Sequence, residues 1–161
     1  MLALRRRASN TAKDARTGAY LVEFSLVVPV FAVMMVGLME FAHAYLVVTT
    51  LGTASRMGAR LGAVEGVTSA QVRERVLTVL SRSISSSGAT VMIKDASLFD
   101  TNPNAAEEID YASLPETEVN SLARRKLFIV RVEVPYDEVA LLPPFWVQGV
   151  TLSGQSVMRH E

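Results

Sequence analysis

From Phe24 to Met39 the chain carries sixteen residues that are apolar except for Ser25 and are otherwise interrupted only by Pro29 and Gly37. With Ala19–Val22 added, the stretch reaches the roughly 20 residues a bilayer requires at 1.5 Å per residue. The run is apolar on every face, which a helix half-buried in a soluble core is not. Before it lie Arg5, Arg6, Arg7, Lys13 and Arg16 against the single acid Asp14. A basic flank marks the cytoplasmic side of a membrane segment, so residues beyond about 45 are expected outside the cytoplasm. One residue conflicts with this simple anchor. Glu23 stands near the start of the run, where a charge costs about 2.5–3.5 kcal/mol at mid-bilayer and calls for a functional reason.

The helix is expected to continue past the membrane. After Glu40 the pattern turns amphipathic, with Phe41, Tyr45, Val48 and Leu51 at helical spacing and Arg56 and Arg60 four residues apart. Ala54, Gly58, Gly62 and Gly66 form one stripe of small residues, and Ser55, Ala59 and Ala63 form a second. Small side chains at four-residue intervals let another backbone approach closely. A helix over residues 20–63 would be about 65 Å long.

The remainder reads as a small α+β domain. Thr68 or Ser69 is placed to cap a helix through "AQVRERVLTVLSRSI", with Val72, Val76, Leu77 and Leu80 on one face. "TVMIK" predicts a short strand. "KLFIVRVEV" alternates, Phe128, Val130, Val132 and Val134 facing one way and Arg131 and Glu133 the other, which predicts a half-buried strand ended by Pro135. "VTLSGQSVMR" predicts a third. The fold expected is a long N-terminal helix followed by an antiparallel sheet packed on residues 48–64. The expected organisation is a leader over 1–18, the helix over 19–66 (membrane-spanning in about 20–40) and the domain over 67–161.

The chemistry on offer is thin. There are no cysteines, which removes disulfides and thiolate sites together. The formal net charge is zero, so nothing predicts binding to nucleic acid. His43 and His160 suggest no shared site, and no catalytic constellation, phosphate loop or histidine metal spacing can be assembled. No enzymatic activity and no cofactor are expected. Between Asp95 and Glu118 the chain has seven acids and no Lys or Arg. There Asp100, Asn102 and Asn104 match the first positions of a calcium loop, but Ala105 replaces the turn glycine and Tyr111 the closing glutamate, so an Asx-rich turn is the expectation. "LLPPFWV" (Leu141–Val147) holds the single tryptophan, either tucked onto the core or forming a protein or lipid contact. Ala42-His43-Ala44 also offers an ordinary signal peptidase a site after Ala44, and the alternative is then a secreted or membrane-tethered binding protein. A long leader and the two glutamates bracketing the apolar run speak against it.

A basic leader, Gly18, four residues, Glu23-Phe24 and an apolar helix together resemble the type IV prepilin signal of the Tad (tight adherence) pilus system. Val22-Glu23-Phe24, Pro29, Glu40-Phe41, "ASRMGARLGA" (Ala54–Ala63) and the closing "VTLSGQSVMR" narrow the resemblance to the TadE-like pseudopilin family. The resemblance implies a single-pass subunit of the inner membrane, its C-terminal domain outside, acting in pilus assembly for surface adhesion. It implies cleavage by a prepilin peptidase after Gly18, with Ala19, Glu23 and Phe24 in the processing motif and a free amine on Ala19. It implies partners among other pilin or pseudopilin subunits and the Tad secretion machinery, with Glu23, Glu40, Arg56, Gly58, Arg60 and Gly62 serving helix packing and assembly. Arginine is common in the family where this chain has His43. Glu23 is then accounted for as the partner of a neighbouring subunit's N-terminal amine, since a buried carboxylate is tolerable when a cation meets it.

Overall fold

The computed structural model describes residues 2–85, 88–101, 111 and 113–161, giving the helical backbone alone for 2–17 and 101. Two compact units divide it, Met1–Met39 and Glu40–Glu161. A single helix, α1 (Leu2–Gly62), runs without a break through Pro29 from the first unit into the second. In the first unit every residue from Gly18 to Val36 is exposed. Among its described side chains and glycines, only Gly37 is buried.

The second unit is a three-stranded antiparallel sheet and a second helix packed on the C-terminal part of α1. Helix α2 (Ser69–Leu80) starts where the sequence places a cap. The backbone N–H of Gln71 donates to the Thr68 hydroxyl, and the Gln71 side chain accepts from the backbone N–H of Thr68 at 2.9 Å. This reciprocal box satisfies two of the N–H groups that a helix start leaves open. Val72, Val76 and Leu80 form its buried stripe.

The strands are β1 (Thr90–Asp95), β2 (Leu127–Pro135) and β3 (Thr151–Arg159), in the order β1-β2-β3 with both pairings antiparallel. β2 is central. Phe128, Val130, Val132 and Val134 are all fully buried, while Arg131 and Glu133 pair at 2.6 Å on the opposite face. That is the alternation the sequence predicts. The buried face meets Val47, Leu51, Ala54 and Ala59 of α1 and the stripe of α2 in one core. On the other face a smaller cluster of Ala96, Leu114 and Ile129 covers one end of the sheet. Short helical turns α3 (Leu98–Thr101) and α4 (Tyr136–Val139), absent from the sequence reading, follow β1 and β2.

Two glycine contacts fix how closely the layers approach. A Cβ on Gly154 of β3 would stand 2.4 Å from backbone atoms of Leu51 and Gly52, so the strand rests directly on the helix backbone. A Cβ on Gly58 would come within 2.4 Å of Val76, and one on Gly62 within about 3.1 Å of Phe128. Within this chain the small-residue stripe of α1 seats α2 and β2.

Candidate functional site

The exposed apolar half of α1 is the first candidate. The described helix from Gly18 is long and apolar enough to cross a membrane. Tyr20, Leu21, Phe24, Leu26, Val30 and Phe31 are each at least 60 % exposed, a surface that water does not tolerate over such a length. Gly18, Ala19, Glu23 and Phe24 all lie on it. No described atom would meet a Cβ at Gly18, so packing does not explain a glycine there. Among the described residues Glu23 has no hydrogen-bond or ion-pair partner, and the Ser25 hydroxyl donates to the Val22 carbonyl at 2.8 Å instead. Any cation for Glu23 must come from outside the described side chains.

The second candidate begins one residue past that run. Glu40 is the first residue of the second unit and is buried. Its carboxylate accepts from three successive backbone N–H groups, Phe145 at 3.1 Å, Trp146 at 3.0 Å and Val147 at 2.8 Å. Charge-assisted bonds of this kind are about twice as strong as neutral ones. The Glu40 main chain is engaged as well, since the buried hydroxyl of Tyr136 donates to its carbonyl at 3.2 Å and lies 3.3 Å from His43 Nδ1. Burial, and then the Glu40 carboxylate nearby, hold the Tyr136 phenol above its ordinary pKa. The 141–147 segment is thereby strapped to α1 through Glu40, while the outer side chains Leu141 and Phe145 remain at least 75 % exposed. Phe145 and Trp146 pack edge-on, ring centres 4.8 Å apart. Of the two sequence readings of this segment, Val147 is in the core and Leu141, Leu142, Phe145 and Trp146 face outward.

The other candidate residues are spread along the second unit. Arg56 and Arg60 are exposed on α1, Arg56 donating to the Thr53 hydroxyl at 3.1 Å, whereas Gly58 and Gly62 are buried beneath α2 and β2. Asp100 pairs with Arg159 at 2.6 Å, and Asn102 and Asn104 lie outside the described residues. Among the described residues no group of three His, Asp or Glu is placed to hold a metal. Tyr136 was missed by sequence reasoning. Its only signal was an aromatic residue directly after a strand-ending proline.

No curated protein and no solved structure matches the chain. The model of one family, described as TadE-like protein, does match, and it covers residues 18–60. That interval runs from the glycine of the expected processing motif through the exposed apolar helix and Glu40 to Arg60, and over it the chain is similar to the TadE-like family that its motifs resemble.

Proposed function

We propose that this chain is a structural or assembly subunit associated with a Tad-type pilus, a pseudopilin carried in the inner membrane by α1 with its α+β unit outside. The observation that carries the reading is the family match over residues 18–60, which falls on a helix whose apolar surface is uncovered. A prepilin peptidase removes the leader after Gly18, and the mature chain begins at Ala19. Its helix then packs beside helices of other pilin or pseudopilin subunits, with Glu23 receiving the amine of a neighbour. Arg56 and Arg60, exposed on the part of α1 outside the membrane, are available to acidic partners in the Tad machinery. The role is mechanical and calls for no catalytic group.

The second unit itself argues against cleavage after Ala44. Such a cut would remove Glu40, which holds three N–H groups of the 145–147 segment and accepts from Tyr136, and it would end α1 among buried residues. The mass of the mature chain tests the reading. A mature N-terminus at Ala19 supports the pseudopilin. A start at Tyr45 means a secreted protein, and a start at Met1 means an unprocessed anchor; either overturns it.

A further inference from the structure

We propose that the Leu141–Trp146 loop is a lipid-facing foot that sits in the headgroup–acyl boundary of the leaflet where the membrane-spanning part of α1 ends. The inference rests on the membrane reading of α1 and goes beyond it. Four side chains of the loop face outward, Leu141 at 78 %, Leu142 at 54 %, Phe145 at 75 % and Trp146 at 42 % exposure. No Asp, Glu, Lys or Arg occurs between Glu138 and Arg159, so the loop carries no charged side chain of its own, and the Glu40 carboxylate it covers is neutralised in part by three N–H donors.

The loop's backbone is prepared in the same way. Pro143 and Pro144 have no N–H to hydrate. The next three N–H groups, of Phe145, Trp146 and Val147, all end on the Glu40 carboxylate. Five consecutive residues therefore present no free backbone N–H. An unsatisfied backbone group in hydrocarbon costs several kcal/mol, so pairing these N–H groups lowers the cost of holding the loop at a lipid boundary.

Position decides the occupant. Glu40 follows directly on Met39, the last residue of the apolar run, in one continuous helix. On the reading of residues 20–40 as the spanning part, Glu40 stands at its outer end, and the loop is hydrogen-bonded to it. Whatever depth Glu40 occupies, the loop shares. Tryptophan and other amphipathic aromatics favour this interfacial depth. A lipid surface is thus the partner whose place is already fixed by the chain.

Trp146 is the single tryptophan, so its fluorescence reports on the loop alone. The experiment reconstitutes the full chain in phosphatidylcholine–phosphatidylglycerol vesicles. Some vesicles carry bromine on the acyl chains near the headgroup and others near the chain end, and acrylamide serves as the aqueous quencher. The account expects blue-shifted emission, a loss of roughly half the intensity to shallow bromine, less to deep bromine, and weak quenching by acrylamide, as for an interfacial indole. Phe145→Asp, at a largely exposed side chain, should remove most of the bromine quenching while leaving the melting temperature in place. Free access of acrylamide without bromine quenching would overturn the proposal. Protection from both quenchers would also overturn it, because a protein surface would then cover the loop. Flotation of the vesicles at alkaline pH separates the two levels of the account. If the chain floats but Trp146 is unquenched by bromine, the foot alone falls; if it does not float, the membrane reading falls with it.

Discussion

Gly154→Ala adds one methyl group where β3 crosses α1, and the structure sets its cost. The new Cβ would lie 2.4 Å from Leu51 C and Gly52 N and 2.8 Å from Leu51 Cβ, where ordinary contact begins near 3.4 Å. Two of those atoms belong to the helix backbone, which has no rotamer with which to yield. The strand must therefore withdraw by about 1 Å, and a radial gap of that size forfeits a quarter to a half of each dispersion contact it opens. Overpacking of a tight core costs about 1–3 kcal/mol, and the backbone contact places this substitution toward the upper end. For a unit of this size each kcal/mol moves the melting temperature by roughly 3–5 °C, so a drop of about 6–15 °C is expected. Gly52→Ala, on the other side of the same crossing, is the control. Its Cβ would meet only the end of the Arg56 side chain at 3.5 Å, and replacing a helical glycine gains up to about 1 kcal/mol. The assay is thermal unfolding of the full chain in detergent, followed by the near-ultraviolet signal. Opposite shifts in the two variants support the contact. A Gly154→Ala protein that melts with the wild type would refute the placement of β3 on α1.

Two further outcomes test the core and the Glu40 anchor. Val132→Asp puts a carboxylate at a fully buried position in an apolar cluster, so the second unit should lose more than about 3 kcal/mol and become protease-sensitive; unchanged protease resistance would mean that this face of β2 is open. Tyr136 has its phenol pKa raised above 10.0 by burial and by Glu40, so the unfolded chain loses that proton at lower pH than the folded chain does. The stability it contributes is complete below about pH 10 and is lost as pH rises toward the folded pKa. Urea unfolding above about pH 10 should therefore show a decline that is shallower in Tyr136→Phe, and equal slopes would contradict the burial and partner assigned to this phenol.

The elements that sequence made legible are those with a strong period. The alternation of Phe128, Val130, Val132 and Val134 fixed β2 and its inner face, because a one-residue slip would turn all four outward. Thr68 and Gln71 announced the start of α2 through a capping box that depends only on local spacing. The small-residue stripe was legible as a close-packing surface, but the sequence does not state which backbone or side chain approaches it. Val72, Val76 and Phe128 do so from 10 or more residues away. Glu40 was marked by following the apolar run and by the Glu40-Phe41 pair of the family resemblance, neither of which names its partners. Its acceptance of three N–H groups depends on a segment more than 100 residues later, a closure that no local pattern encodes. Tyr136 was hidden for the same reason, since its acceptor lies 96 residues earlier in the chain.

Glu23 gives the most direct test of the pilus account, because replacing it should separate processing from assembly. Glu23→Val removes a carboxylate that has no partner among the described residues, so the chain should insert at least as well and still be cut after Gly18. It should then lack the charge-assisted contact that orients an incoming helix beside its neighbour. Gly18→Glu, in the same background, should leave the leader attached. The measurement is surface pilus yield together with the mature mass of each protein, in cells whose own copy has been deleted. The account predicts a processed Glu23→Val chain that restores few or no pili, and an unprocessed Gly18→Glu chain. Wild-type pilus numbers from Glu23→Val, or normal piliation with the chain absent altogether, would contradict it.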